Sequence, residues 1–486
     1  MSEGPGKVAV VGAGMSGCLA AVFLARRGYE VEVYESRGDI RHGFVGPSRS
    51  LNMTLSLRGL AVLAAADSLD WVMPLTVPVR GRMVHGEDGR VRFHPYGDRP
   101  EQVLHAIVRN DLNAALMNRA ESFPGVEIHF RQSFLRLDKE SGTVVFRDLD
   151  TQRSHTVEAD FVVGADGSFS AVRRALQRGE RADYQQKFLA WDYKELHIPP
   201  GPNGYRVEPH ALHVWPRGGC MLMALPNPDG SFNCICTMPA EGDPGFSSLR
   251  TEEQVRAFFQ TKFPDAAAEM PTLTRDFMRN PTSAFLSVAT SPWHYKGRVV
   301  LVGDACHTVV PFYGQGMIAG FEDCAALDAC LARFGADTAS AFGEYERLRK
   351  RNADALAALS IHNFVELRDR VRDVRVIARK QLEAVLGRVL RRAWAPIYTL
   401  IAHSTVPYAD ALERYRRQRR VARWLGFELV VGAWACLLVL RRLASRRRLG
   451  RRPTPGGAAK AAAPLPSRKG RSPAAAASPP GAGALS

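Results

Sequence analysis

The stretch "KVAVVGAGMSGCLAAVFLARRGYEVEVYE", Lys7–Glu35, constrains the fold more than any other part of the chain. Val8–Val11 is a continuous apolar run, as expected of a strand buried on both faces of a parallel sheet. Gly12, Gly14 and Gly17 then form G-x-G-x-x-G, helical spacing runs from Met15 to Arg27, and a second strand, Val31–Tyr34, ends at Glu35. Strand, tight turn, helix and strand together make the opening unit of a dinucleotide-binding α/β sheet. Gly12 permits the turn, Gly14 lets a pyrophosphate approach the backbone, and Gly17 lets helix and sheet pack closely. Free N–H groups at the helix start suit an anion. Glu35 stands at the separation expected of an acid that accepts from a ribose hydroxyl.

Two further loops follow buried strands. "GADGSFSAVR", Gly164–Arg173, sets Asp166 and Gly167 beside a helix start, and Ser170 and Arg173 make it more specific than a bare Asp-Gly turn. "GDACHTVVPFYGQG", Gly303–Gly316, puts Asp304 at the carboxyl end of a strand, where open α/β sheets bind ligands. Gly314 and Gly316 precede a helix expected over 316–334. Asp304, Cys306 and His307 also raise a metal site or a nucleophile with its base. No distant His/Cys cluster completes a coordination sphere, so no metal is expected, and Cys306 and His307 read as packing and loop-shaping residues.

Elsewhere, Arg82–Tyr96 reads as a hairpin turning at Gly-Glu-Asp-Gly and Arg109–Phe123 as a helix. Short strands are expected near 126–130 and 143–147, and a mostly antiparallel sheet over 184–238. Thr251–Phe263 is helical, and helices fill 338–412.

The formal charge of +16 raises nucleic-acid binding, but its location argues otherwise. Residues 413–486 hold 17 of the 65 Lys and Arg against two acids, Glu413 and Glu428, so the body is nearly neutral and no nucleic-acid partner is expected. Eight cysteines occur without a CxxC pair, which suggests reduced thiols in a cytosolic setting. The globular pattern begins by Lys7, with no secretory signal expected before it. The apolar run Trp424–Leu440 carries one acid, Glu428, between Arg-rich flanks, and sits near the lower limit for a bilayer span of roughly 17–25 residues. An amphipathic helix on the membrane or body is the alternative. Beyond Pro453, Pro, Ala, Gly and Ser dominate, and disorder is expected.

The three loops in this order resemble the single-component FAD-dependent aromatic hydroxylases. "SRSLNMTLSLRGL" (Ser48–Leu60), "RGRMVH" (Arg80–His85), "HPYG" (His94–Gly97), "VRNDLN" (Val108–Asn113), "HVWPRG" (His213–Gly218), "PFYGQGM" (Pro311–Met317), "HNFVELR" (His362–Arg368) and "PIYT" (Pro396–Thr399) bring the chain closest to the kynurenine-hydroxylating branch. The resemblance runs from about residue 7 to 440. It implies a Rossmann-like FAD-binding domain of the glutathione-reductase type (1–75, 100–182 and 285–370) with an inserted, mostly antiparallel substrate sheet (76–99 and 183–284). C-terminal helices at 371–412 complete the pocket, followed by a basic flank and membrane anchor at 413–440 and a tail at 441–486.

By the same resemblance, Gly12, Gly14, Met15, Gly17, Glu35, Arg37, Thr54, Arg109, Leu135, Asp304, Gly316, Met317 and Ile318 line FAD, with Arg109 near the pyrophosphate, Asp304 at the ribityl chain and Met317 facing the ring. Arg82, Tyr96, Asn363 and Tyr398 hold the carboxylate of L-kynurenine. NADPH and O₂ are the co-substrates, NADPH binding transiently, and ring hydroxylation at position 3 proceeds through a flavin C4a-hydroperoxide with no side-chain base required. Ile318 departs from the Asn common after the Met of "GQGM", which removes a side-chain donor near the flavin pyrimidine edge, and Tyr313 stands where Phe is frequent. Animal members of the family imply anchoring to the mitochondrial outer membrane with the body facing the cytosol. The competing expectations are a flavin hydroxylase for another aromatic acid, or a membrane-tethered flavoprotein scaffold without turnover.

Overall fold

A computed structural model describes residues 6–43, 52–97, 102–369 and 394–424, without the side chains of 366–369. The chain divides into two units, Met1–Ala422 and Arg423–Ser486, and all the described residues but Arg423 and Trp424 lie in the first. The apolar opening run is the centre of a six-stranded sheet. Lys7–Val11 pairs in parallel with Glu30–Tyr34 on one side and Phe161–Gly164 on the other. Val126–His129 extends one edge, and Val299–Leu301 with the antiparallel His294–Tyr295 extends the other. Val8, Ala9 and Val10 are fully buried, so the continuous hydrophobicity is explained by cover on both faces. The helix Met15–Arg26 supplies part of that cover, burying Gly17 through Leu24. The carboxyl ends of Lys7–Val11, Phe161–Gly164 and Val299–Leu301 bring the three loops together: Ala165 N donates to Val11 O (2.9 Å), and Ser168 Oγ donates to Asp304 Oδ2 (3.2 Å).

The second large sheet has eight strands, in the order 307–308, 282–291, 183–198, 232–239, 221–226, 211–216, 81–85 and 91–95. The expected hairpin is its edge, with Arg82 opposite His94. Inward residues alternate along Ala211–Pro216, and Trp215, Phe232 and Ile198 meet helices Glu252–Lys262, Pro264–Ala268 and Leu273–Arg279 in a core of their own. Thr251 opens the first of these helices with a capping box, its Oγ1 accepting from Gln254 N at 3.3 Å while Gln254 Oε1 accepts from Thr251 N at 3.0 Å. Strands Asn52–Leu55, Gln132–Asp138 and Thr282–Ser291 were not expected. Thr282–Ser291 is rich in Ser, Thr and Ala, carries little local strand signal, and forms by pairing with Asp183–Ile198 across a long sequence gap.

The helix Gly316–Phe334 spans the expected residues. Thr338–Asp369, Ile397–Ala402 and residues 408–424 are helical beyond it, and 370–393 lies outside the described residues. Among the described residues no helix is long and apolar enough to cross a membrane. The anchor expected at 424–440 and the tail at 441–486 lie outside them beyond Trp424. The described cysteines are free and buried.

Arg58, on helix Leu57–Ala65 and 1% exposed, ties the C-terminal segment to the first domain. Its Nε donates to Ile401 O (2.8 Å), its Nη2 to Leu400 O (3.0 Å) and Val406 O, and its Nη1 to Glu322 Oε1 (2.9 Å). The guanidinium also stacks 4.3 Å from the Tyr408 ring centroid. These bonds satisfy carbonyls that the end of Ile397–Ala402 leaves open. Arg58→Ala should cost about 1–3 kcal/mol, because Ile401 O and Val406 O lose their donor while Glu322 keeps Arg349. A urea titration checks this, and a wild-type transition would refute it.

A chain of polar groups runs from the exposed Asp265 to the buried His85 and His213 on the two parallel strands of the eight-stranded sheet. His85 Nδ1 lies 2.9 Å from Asp265 Oδ2, His85 Nε2 lies 2.9 Å from His213 Nδ1, and Trp215 Nε1 donates to Asp265 Oδ2 at 2.7 Å. Burial, partly countered by the Glu208 carbonyl, pushes the His213 imidazole from 6.5 down to about 4. The unfolded chain therefore takes up this proton first, so stability held above pH 6.5 is lost as pH falls toward about 4. The full loss is about 3 kcal/mol. Urea titrations across that interval should show this slope, and His213→Asn should flatten it.

Candidate active site

The glycine turn is built as its spacing predicts. Gly12 has φ 102°, and a Cβ there would meet Ala165 O at 2.7 Å. A Cβ on Gly17 would lie 1.9 Å from Gly12 O, so helix and turn approach as closely as backbones can. Nothing lies within 4 Å of a Cβ on Gly14, leaving its face open, and the helix behind it has no side-chain cap and no acid in its first turn. Its N–H groups and dipole thus stand ready for an anion. Met15 is the first residue of that helix. Glu35 is 4% exposed; its Oε2 accepts from Ala13 N at 3.0 Å, and its Oε1 from Arg37 N and Nε, both at 2.9 Å. Burial raises this carboxyl, but the Arg37 bonds and charge outweigh it and hold the group below its ordinary range. Asn113, missed as a single residue by the sequence reading, donates from Nδ2 to Ala13 O at 3.2 Å and braces the turn from below.

The second loop is a brace. Asp166 accepts from Ser170 Oγ, from Ala171 N (2.6 Å) and from Val172 N (3.1 Å), capping helix Ala171–Gln177. Arg173 donates to Ala305 O (2.8 Å) and Ser168 O (2.7 Å), fastening this loop to the third. Asp304 reaches solvent beside Ser168. Surrounding protein raises its carboxyl, an effect that the His307 and Arg109 charges partly counter.

Cys306, His307 and Asp323 bring their ligand atoms within 4.8 Å of one another. Asp323 is already saturated: Oδ2 faces His307 Nε2 (2.6 Å) and Gly303 N (3.1 Å), and Oδ1 accepts from Arg349 Nε (2.7 Å). Burial raises its carboxyl, yet His307 and Arg349 bring it down to about 2. A metal here would have to share the carboxylate with a guanidinium, so the trio reads as a structural brace under the loop.

Past the loop, Gln315 starts helix Gly316–Phe334 without a side-chain cap, and its Oε1 accepts from Tyr408 Oη at 3.1 Å. Met317 is 9% exposed. Ile318 is fully buried, 3.3 Å from where a Cβ on Gly59 would sit, so an apolar side chain fits its surroundings. Thr54 Oγ1 stands 3.1 Å from a Cβ built on Gly314. Arg109 is the exposed first residue of helix Arg109–Glu121. Leu135, 41% exposed, lies on the edge strand Gln132–Asp138.

Three of the expected carboxylate ligands converge. Arg82 comes from strand Gly81–His85, Tyr96 follows strand Val91–Pro95, and Tyr398 lies on helix Ile397–Ala402. The Arg82 guanidinium is 5.6 Å from the Tyr96 ring centroid and 4.8 Å from that of Tyr398, and the two rings stack at 5.5 Å. Arg82 Nε and Tyr96 Oη are buried without a hydrogen-bond partner. Burial and the neighbouring Tyr398 push the Tyr96 phenol well above its ordinary range, so it remains an O–H donor. Asn363 stands with the loop: its Nδ2 donates to Phe312 O at 2.8 Å. Tyr313, next to Phe312, lies 6.5 Å from Tyr398. Phe312 also packs against Phe364 (4.7 Å) and Phe285 (5.1 Å), and Trp191 meets Phe364 at 5.6 Å, forming an aromatic wall. Trp191, Phe285 and His403, whose ring lies 6.1 Å from both Tyr96 and Tyr398, were missed. No local pattern marks them, since each becomes relevant only through its tertiary neighbours.

A family model described as an FAD binding domain matches residues 6–360. The kynurenine 3-monooxygenase of Salinispora arenicola is 46% identical over 450 residues, covering 92% of this chain and 99% of that protein. That of Myxococcus xanthus is 43% identical, over 84% and 88%. Among solved structures, the tetrameric form of 2-methyl-3-hydroxypyridine-5-carboxylic acid oxygenase matches with TM-score 0.61 at 21% identity, over 75% of this chain and 93% of that one. P. aeruginosa PqsL in complex with 2-aminobenzoylacetate gives 0.58 at 21%, over 75% and 97%. At such identities these two structures establish the fold alone. The expected mitochondrial outer membrane location, with the body facing the cytosol, is overturned: these relatives are bacterial, and bacteria have no such membrane. Similarity of this depth, over nearly the whole length of the relatives, means that the chain belongs to the kynurenine 3-monooxygenase family of FAD-dependent monooxygenases.

Proposed function

We propose that this protein hydroxylates L-kynurenine at ring position 3, consuming NADPH and O₂ and releasing 3-hydroxy-L-kynurenine and water. The observation that carries this reading is the buried Arg82 between Tyr96 and Tyr398, with unpaired donors on Arg82 and Tyr96. A buried cation with unused donors calls for an anion, and an amino-acid carboxylate matches it in charge and geometry. The aromatic wall of Phe312, Phe285 and Phe364 supplies an apolar face for an aminobenzoyl ring.

FAD fits the residues present, because the open face of Gly14, the uncapped helix behind it and the exposed Asp304 suit a pyrophosphate and a polyhydroxylated chain. Gly12, Gly14, Met15 and Gly17 would hold the pyrophosphate turn, Glu35 and Arg37 the adenosine ribose, Arg109 the phosphates, and Asp304 the ribityl chain. Thr54, Gly316, Met317 and Ile318 would border the ring through backbone and packing, and Leu135 would lie at the periphery. Bound flavin supplies redox chemistry, accepting two electrons from NADPH and delivering one oxygen atom of O₂ to the ring. The side chains have other work. Arg82, Tyr96 and Tyr398 would fix the substrate's head, which aims the ring, Asn363 would hold the Phe312 loop beside it, and the aromatic wall would exclude water. The amino group already activates the ring, so no side chain is assigned as a base. On this reading 1–75, 100–182 and 285–370 serve the flavin, 76–99 and 183–284 serve the substrate, and the described part of 371–412, residues 394–412, closes the pocket.

The test is anaerobic flavin reduction by NADPH with and without kynurenine, followed by product analysis in air. Faster reduction with kynurenine and a 3-hydroxylated product are expected. Absence of both would sink this reading in favour of another aromatic acid or a scaffold without turnover. Arg82→Ala should raise the KM for kynurenine about 10–100-fold, as expected for losing a charge-assisted bond. Its FAD content should stay at the wild-type level, and loss of FAD would show that Arg82 is misassigned.

A further inference from the structure

His403 ends the helix Ile397–Ala402, its N–H bonded to Thr399 O at 2.9 Å. Arg58 holds the carbonyls of Leu400 and Ile401 just before it, which fixes where the ring can go. That ring lies 6.1 Å from Tyr96 and 6.1 Å from Tyr398, the two tyrosines that flank Arg82. Its Nε2 is buried without a hydrogen-bond partner, like Arg82 Nε and Tyr96 Oη. A buried polar atom without a partner is costly unless a ligand satisfies it. Burial pushes the His403 imidazole below its ordinary value, which favours the neutral ring, and the Arg82 cation lies over the neighbouring Tyr398. That setting repels an ammonium and favours a carboxylate.

We propose that His403 is a further substrate-binding residue, donating from Nε2–H to the α-carboxylate that Arg82 and Tyr96 also bind. This rests on the kynurenine reading above. The carboxylate offers about four acceptor positions, enough for the Arg82, Tyr96 and His403 donors together. The same chemistry selects substrates that carry a carboxylate at this depth over otherwise identical rings without one.

The test measures dissociation constants on the FAD-loaded enzyme, by the flavin's absorbance change, for L-kynurenine and for its decarboxylated analogue. His403→Phe keeps a flat ring against Tyr96 and Tyr398 but removes the donor. It should weaken kynurenine binding about tenfold or more while leaving the decarboxylated analogue nearly unchanged. His403→Gln, which restores a donor, should recover part of the loss. Kynurenine binding within twofold of wild type in His403→Phe would overturn the proposal. So would equal weakening of both ligands, which would mark His403 as packing only. If His403→Phe does not fold, His403→Gln decides by the same comparison: selective retention of kynurenine binding supports the donor role, and parallel loss of both ligands overturns it. A wild-type enzyme that fails to bind kynurenine sinks the function reading itself, whereas binding by wild type with an indifferent His403→Phe sinks only this inference.

Discussion

Two adjacent acids on one helix, Glu322 and Asp323, hold the rest of the structure in register. Glu322 accepts from Arg58 and from Arg349, both at 2.9 Å. Asp323 accepts from Arg349 at 2.7 Å and from Gly303 N at 3.1 Å, and faces His307 at 2.6 Å. The first acid therefore reaches, through Arg58, the segment that carries Tyr398 and His403. The second reaches the loop that carries Asp304. Buried ion pairs add little net stability, since desolvation offsets most of their attraction, but breaking one leaves a charge stranded. The network thus links the loop that carries Asp304 to the segment that carries Tyr398 and His403.

The two sheets divide the chemistry by their construction. A parallel sheet leaves strand ends and helix N-termini pointing the same way, which suits phosphates and ribose hydroxyls. An antiparallel sheet alternates its side chains across two faces, so one edge hairpin can place Arg82 and Tyr96 together while the opposite face packs a core. The helix Ile397–Ala402 packs Tyr398 against Tyr96 of that hairpin. A flavin enzyme of this type needs orientation and dryness more than acid–base groups, which is the part the proposed function gives to the buried Arg82 and the aromatic wall.

Legibility in the sequence followed the range of the interactions. The Gly12–Glu35 unit was readable because its strand, turn, helix and acid follow one another in a short stretch, and the structure reproduces each element. The Arg82–Tyr96 hairpin was readable for the same reason. Thr282–Ser291 was not, since its partner strand lies about a hundred residues earlier and its own composition is noncommittal. Cys306 and His307 could not be settled locally either, because Asp323 and Arg349 lie well downstream. Ile318 looked like a missing donor by comparison with relatives, yet its side chain fills space against Gly59.

By itself the sequence determined the class of the protein: a dinucleotide-binding sheet, an edge hairpin, and motifs that name a flavin hydroxylase. These are properties of short segments, governed by backbone geometry and periodic burial. Only the tertiary structure decided that Asp323 is a brace, that Arg173 fastens two loops, and that His403 stands with an unpaired nitrogen beside Tyr96 and Tyr398. The reason is physical: a polar group's role depends on which partners remain within bonding distance once water has been excluded, and those partners come from distant parts of the chain.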